Sequence, residues 1–284
     1  MLLASCTAFF EASKDIFSKR SLNQLNLYLV AWAWPVLTTL CLLPAIAWAG
    51  LPPILPGFWA ALLAGGLLNT LAFLLYIKAI STSDISLTVP YVSFTPLFLG
   101  LTSPFIVQES ADLGDVVGGL LIVLGAYVLN WRSQYRSPLA PFQAFWQEPG
   151  PKLMLGVALI WSITANIDKV GVQTSSPLLW LVALHSFISL GMLPVVWRQV
   201  PAPIQQLQHN LKLLLPIGLA QMIATTCQMN ALELTVVADV ISVKRTSTLI
   251  AALMGHLFFQ EPGLRQRLLG ASIMLSGVFL ILRT

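Results

Sequence analysis

The sequence predicts an all-α polytopic membrane protein, with ten transmembrane helices arranged as a five-plus-five inverted repeat. Composition is the first reason. Of the 284 residues, 57% are apolar and only 9% are Asp, Glu, Lys or Arg, against about 25% charged residues in soluble domains. The mean hydropathy is +0.81, and folding in water could not hide that much apolar surface. Spacing is the second reason: apolar runs of about 20 residues recur, each long enough as a helix to cross ~30 Å of hydrocarbon. Repetition is the third, because Glu109 and Glu261 sit in matching contexts 152 residues apart. Five spans per half is an odd number, so the second half must cross the membrane in the opposite sense to the first.

The spans fall near 2–19, 28–49, 58–80, 86–107, 112–131, 153–171, 177–197, 212–232, 237–259 and 266–282. The first has no basic segment before it and no A-x-A site after it, and reads as a retained helix rather than a signal peptide. Pro52, Pro53 and Pro56 separate the second span from the third, and Pro201 and Pro203 the seventh from the eighth. The longest connection, Arg132 to Lys152, carries Pro138, Pro141 and Pro149 with Phe142, Phe145 and Trp146, and reads as an interfacial linker. The chain thus divides into a five-helix repeat at 1–136, a linker at 137–149 and a second five-helix repeat at 150–284.

The 152-residue offset runs without a gap from Tyr76/Gln228 to Trp131/Arg283. Few pairs are identical, among them Gln108/Gln260, Glu109/Glu261, Gly118/Gly270 and Gly125/Gly277. What recurs is placement: a carboxylate turn between two apolar spans, then small residues seven apart in the second span. In a membrane, two such halves point to a transporter. Glu109 and Glu261 are expected to cap the first turns of the fifth and tenth helices, a structural role. The glycines, with Ser272 and Ser276, form a stripe that lets helices approach closely. Packing within each half is one reading of it; a homodimer contact through the fifth and tenth helices is the other.

Loop charge sets the orientation. Lys19, Arg20, Lys78, Arg132, Arg136, Lys152, Arg198, Lys212, Arg265 and Arg267 follow odd-numbered spans, whereas the opposite face holds only Lys169 and Arg283. The positive-inside rule then places both termini outside the cytoplasm. The net charge of +4 is small and scattered, which argues for basic loops facing anionic lipid and against nucleic acid. Cys6, Cys41 and Cys227 are odd in number and lack ligand spacing, so neither a disulfide framework nor a metal site is indicated.

Polar residues inside the spans are the candidate substrate site, since a charge at the membrane centre costs about 2.5–3.5 kcal/mol on insertion scales. Lys244 and Arg245 stand out in the ninth span, with Val92 and Ser93 as their uncharged partners at the 152-residue offset. They form a cationic wall for a carboxylate or phosphate, make a structural ion pair with Asp168, Asp239, Asp15 or Glu11, or snorkel toward an interface. Adjacent helix positions diverge by about 100°, so the two scarcely share one face. Glu11, in the first span with Lys14 and Asp15 at i+3 and i+4, is either a protonatable coupling group or a carboxylate neutralised by a lysine. Asp15 with Lys19 and Asp168 with Lys169 occupy comparable places in the two halves and read as gating or structural ion pairs. Asn69, Tyr91, Asn166, Gln221 and Thr248 complete the candidate lining; amides of this kind also commonly just bond a neighbouring helix. Tyr76, Trp161 and Trp180 line a pocket or anchor an interface, and His185 and His256 lack ligand spacing.

Pro96-Leu97-Phe98 in the fourth span, the two glutamate turns, the glycines of the fifth and tenth spans and the Asp-containing ends of the first and sixth resemble the drug/metabolite transporter superfamily, and within it the EamA-type permeases with two EamA domains. Two departures stand out. The family usually has Gly before the glutamate, where this chain has Gln108 and Gln260, and Pro96 has Thr248 as its partner. The resemblance covers essentially the whole chain. It implies a multi-pass permease of the cell membrane for small metabolites, with a central cavity between the halves and the fifth and tenth helices packed behind it.

A secondary transporter working by alternating access, proton- or exchange-driven, is the leading function. No G-x-x-x-x-G-K-[ST] loop supplies ATP chemistry. An enzyme is not expected, for no H-E-x-x-H motif or acidic metal cluster is present and the loops are short. No cofactor is implied; the partners are the bilayer and a small substrate, anionic or zwitterionic. The alternatives are a membrane-embedded lipid-headgroup enzyme and a non-transporting or channel-like subunit.

Overall fold

Apolar runs in a medium without water must satisfy their own backbone groups, and helices do so locally. Every element of the computed structural model is accordingly helical. The structure describes residues 1–83, 88–110, 112–130, 145–259 and 264–283, and no strand occurs among them. In chain order the elements are α1 (Leu2–Leu22), α2 (Leu27–Ala49), α3 (Phe58–Thr82), a 3₁₀ helix (Val89–Phe94), α4 (Thr95–Ile106), α5 (Leu113–Asn130), α6 (Pro149–Gln173), α7 (Pro177–Gln199), α8 (Pro203–His209), α9 (Leu211–Leu234), α10 (Val237–Arg245), α11 (Ser247–Phe259) and α12 (Leu264–Ile281). Glu261 and residues 137–144 of the linker lie outside the described residues.

Among the described residues five helices, α2, α3, α6, α7 and α9, are each long and apolar enough to cross a bilayer. At 23 to 25 residues and 1.5 Å per residue, each spans roughly 35 Å. Shorter apolar helical stretches cover 91–106, 113–128 and 268–281. Helix α1 is slightly shorter, with 21 residues, and carries Glu11, Lys14, Asp15, Lys19 and Arg20.

Packing divides the chain into two units, residues 1–71 with 167–235 and residues 72–166 with 236–284. Each unit therefore draws on both sequence repeats. In the first unit α1 runs antiparallel to α9, since the Thr7 hydroxyl donates to the Ala224 carbonyl and the Ser21 hydroxyl to that of Leu213. Helices α2 and α7 are also antiparallel, tied by Trp32 Nε1 to the Ser189 carbonyl at 2.9 Å and by Asn26 to that of Gln199. Both helices begin on a side-chain cap: Asn26 accepts from the Tyr28 amide, and Ser176 from that of Leu179 ahead of Pro177.

Trp180 anchors this unit rather than an interface. It is fully buried, packs edge-on to Phe58 at 5.8 Å and lies against Gly171, where a Cβ would collide with the indole. Its ring N–H donates to Asp168 Oδ1 at 3.0 Å. A buried indole needs such an acceptor, and that requirement draws both residues into the core.

In the second unit α5 and α12 pack antiparallel through the repeated glycines. A Cβ on Gly118 would stand 2.6 Å from the Gly277 carbonyl oxygen, and one on Gly277 would stand 2.5 Å from that of Gly118. A Cβ on Gly125 would meet the Gly270 carbonyl at 2.6 Å. The contacts are reciprocal under the 152-residue offset, as in a two-fold interface. The stripe is thus engaged within the chain, while Ser272 and Ser276 are exposed.

The first turn of α5 is closed by a reciprocal box: the Asp112 amide donates to Asp115 Oδ2 and the Asp115 amide to Asp112 Oδ1, both at 2.9 Å. Glu109, expected to cap α5, accepts from the Val237 amide at 2.8 Å and so caps α10. The intervening aspartates already serve the nearer helix, which leaves the glutamate to reach one remote in sequence.

Candidate functional site

The fourth and ninth spans, drawn from sequence as continuous helices, are each interrupted, and the interruptions share one construction. Where the 3₁₀ helix meets α4, the Thr95 amide and hydroxyl both donate to the Val92 carbonyl, the hydroxyl at 2.7 Å. Where α10 meets α11, the Thr246 amide and hydroxyl both donate to the Val243 carbonyl, at 3.0 and 2.7 Å. A hydroxyl that bonds three residues back competes with the helical ladder and tightens it into a 3₁₀ turn. The shared pattern is Val-x-x-Thr. It pairs Thr95 with Thr246, one residue away from the register of the ungapped repeat, so Lys244 and Arg245 stand where the first copy has Ser93 and Phe94.

The two breaks of this unit touch through a side chain. Arg245 Nη2 donates to Thr95 Oγ1 at 2.8 Å, so one hydroxyl joins the guanidinium to the Val92 carbonyl. Arg245, Lys244 and Thr248 are half-buried. Beside the first break Tyr91 stacks between Phe94 and Phe145, with centroids 5.9 and 5.8 Å away. Tyr76 and Trp161 pair at 5.7 Å on the adjoining apolar cluster of Ala72, Ala79, Val92, Met154 and Val157. A fixed cation, a hydroxyl and half-buried rings can hold an anionic group together with an apolar one.

Asn166 belongs to the same unit and is fully buried. Its carbonyl oxygen accepts from Ser103 at 2.9 Å, and its amide donates to Thr102 Oγ1 and the Ser162 carbonyl, both at 3.0 Å. Those bonds join α4 to α6 and give it a structural task.

Among the described residues, the first unit holds the most buried charge. Lys14, 4% exposed, bridges Glu11 and Asp15, the latter at 3.3 Å, with its ammonium 4.4 Å from the centre of the Trp34 ring. Burial on this scale requires compensation, which the two carboxylates and the ring supply. Sequence reasoning placed Glu11 in the site and treated Lys14 only as a partner for it; the lysine is the centre of the cluster. Gln221 is 8% exposed, and its Oε1 accepts no hydrogen bond among the described residues. Asn69 donates to the Gly65 carbonyl of its own helix at 3.0 Å.

Asp15 and Asp168, alike in sequence, have different surroundings. The Asp15 carboxylate is half exposed beside Lys14, whereas Asp168 is buried against Trp180. Lys169 donates to the Thr235 carbonyl at the end of α9, and Lys19 is exposed in the last turn of α1, where a cation suits the helix dipole. Thr95 and Thr246 went unselected by sequence reasoning. The repeated Val-x-x-Thr was the available signal.

The helical fold and its intramembrane polar residues define a multi-pass integral membrane protein. The chain belongs to the EamA-like transporter family, whose model matches residues 1–131 and again 149–283; it is a membrane permease of the drug/metabolite transporter type. Among solved structures, one described as "Crystal structure of protein" is similar in fold, with a TM-score of 0.74 at 15% identity over 98% of this chain and 94% of that one. No curated protein matches.

Proposed function

We propose that this chain is a secondary transporter that moves small anionic or zwitterionic metabolites by alternating access, with ten transmembrane helices in a five-plus-five inverted repeat, 1–136 and 150–284. The pair of Val-x-x-Thr helix breaks carries this reading. Discontinuous helices at corresponding places in two repeats are where transporters present backbone and charge to a substrate. The antiparallel, reciprocal packing of α5 on α12 and the antiparallel pair α2 and α7 support the inverted arrangement. Arg245, held by Thr95 at the breaks, takes the anionic group, and Tyr91 takes the apolar part. The Glu11–Lys14–Asp15 cluster is the place where proton uptake would couple to movement, because protonating Glu11 removes half of the compensation around a buried lysine. The family supports a cell membrane location, and loop charge supports both termini lying outside.

The test is flux. Purified protein in proteoliposomes is given a mixture of labelled acidic and zwitterionic metabolites, with and without a pH gradient. Saturable uptake that responds to the gradient or to counter-substrate is expected. Non-saturable flux would mean a channel, and chemical conversion of a solute or lipid would mean an enzyme.

A further inference from the structure

Cys6 and Cys227 carry no role in the transport reading, yet the fold brings their sulfurs to 3.0 Å. That is about 1 Å longer than a disulfide of ~2.05 Å. The two residues are 221 apart in sequence and come from opposite repeats, so neither spacing nor motif could have paired them. The antiparallel α1 and α9 hold them in register. One position along α1 from Cys6 and one turn along α9 from Cys227, the Thr7 hydroxyl donates to the Ala224 carbonyl at 3.2 Å. Both helices belong to one packing unit, so a bond between them joins elements already in contact. Both cysteines are half-buried, and both are free thiols.

We propose that Cys6 and Cys227 form a redox-active dithiol that a small diffusible disulfide oxidises to an intrachain disulfide, stapling α1 to α9. One cysteine sulfur attacks the oxidant's S–S bond, forms a mixed disulfide and expels the first thiol. The other cysteine sulfur then attacks the mixed disulfide and expels the second. The protein loses two electrons and two protons, and the oxidant, reduced by the same two electrons, leaves as two thiols. Cys41, on α2, is the internal control.

The experiment treats the detergent-solubilised full-length Cys41→Ser variant with dithiodipyridine, an apolar disulfide, and weighs the intact chain. Expected is the loss of two hydrogens, two equivalents of thiopyridone released per chain and no retained thiopyridyl group, all reversed by a reductant. In Cys41→Ser/Cys227→Ser, Cys6 alone should retain one thiopyridyl group. Wild type mapped by proteolysis without reduction should yield the Cys6–Cys227 peptide pair and show that the substitution did not create the link. Two retained thiopyridyl groups, two unmodified thiols or a covalent dimer would each overturn the proposal.

Discussion

At the first helix break Val92 and Thr95 bracket Ser93 and Phe94; at the second, Val243 and Thr246 bracket Lys244 and Arg245. The backbone device is the same in both, down to a threonine hydroxyl on the carbonyl three residues back. The residues between differ completely: hydroxyl and ring in one copy, two cations in the other. The frame repeats while the chemistry does not. Helices α5 and α12 provide the contrasting case, since there the two copies agree in side chains as well, and glycine meets glycine from both sides.

That contrast can be attacked first where the copies agree. Gly125→Leu and Gly277→Leu, equivalent under the 152-residue offset, should be equally damaging, each destabilising by about 3 kcal/mol, the upper range for overpacking, because each new Cβ meets the other helix's carbonyl. Folded yield and thermal unfolding in detergent are the readouts. A large difference between the two variants would break the reciprocity.

The breaks should then respond unequally. Thr95→Val loses two bonds, one of them to a guanidinium, and should cost about 2–3 kcal/mol. Thr246→Val loses only the local bond and should cost about 1 kcal/mol. Equal losses by denaturant unfolding would show that the Arg245 contact contributes nothing. Glu109→Ala should cost roughly 1–2 kcal/mol as a lost helix cap, with α10 rather than α5 losing amide protection in hydrogen exchange.

Gln108 should give the smallest effect, and a gain. It follows the end of α4 with φ +60°, in the left-handed region. Glycine is the usual residue there, and a side chain costs about 1–2 kcal/mol. Gln108→Gly should therefore raise stability by about 1 kcal/mol, measured as an upward shift in unfolding temperature.

Much of the fold could be read from the chain because hydrophobic length is a strong signal: α2, α3, α6, α7 and α9 are long apolar runs bounded by Pro, Asn, Ser or Gly. The break in the fourth span left no trace in hydropathy, since Thr95 turns the ladder with a single hydroxyl; in the ninth, Lys244 and Arg245 stood out as charges but did not reveal the turn that Thr246 makes in the same way. The reach of Glu109 to the start of α10 could not be read from the chain, because sequence proximity pointed only to α5, where Asp112 and Asp115 form a box of their own. Trp180 sits near a span terminus and so resembled an interface anchor; only the packed structure reveals Asp168 as its acceptor. The thiol pair was invisible for the same reason, as its members meet only when α1 lies on α9.

In the proposed transporter the second break supplies the group that binds substrate while the repeated frame supplies the fold. Paired measurements on Arg245→Gln, flux in proteoliposomes and thermal unfolding in detergent, test this most directly. Expected is a ten- to hundredfold loss of flux for acidic or zwitterionic substrates, roughly the 1.5–3 kcal/mol of a charged hydrogen bond, with unfolding no lower than for Thr95→Val. Intact flux with a collapsed unfolding temperature would contradict it and make Arg245 a structural cation.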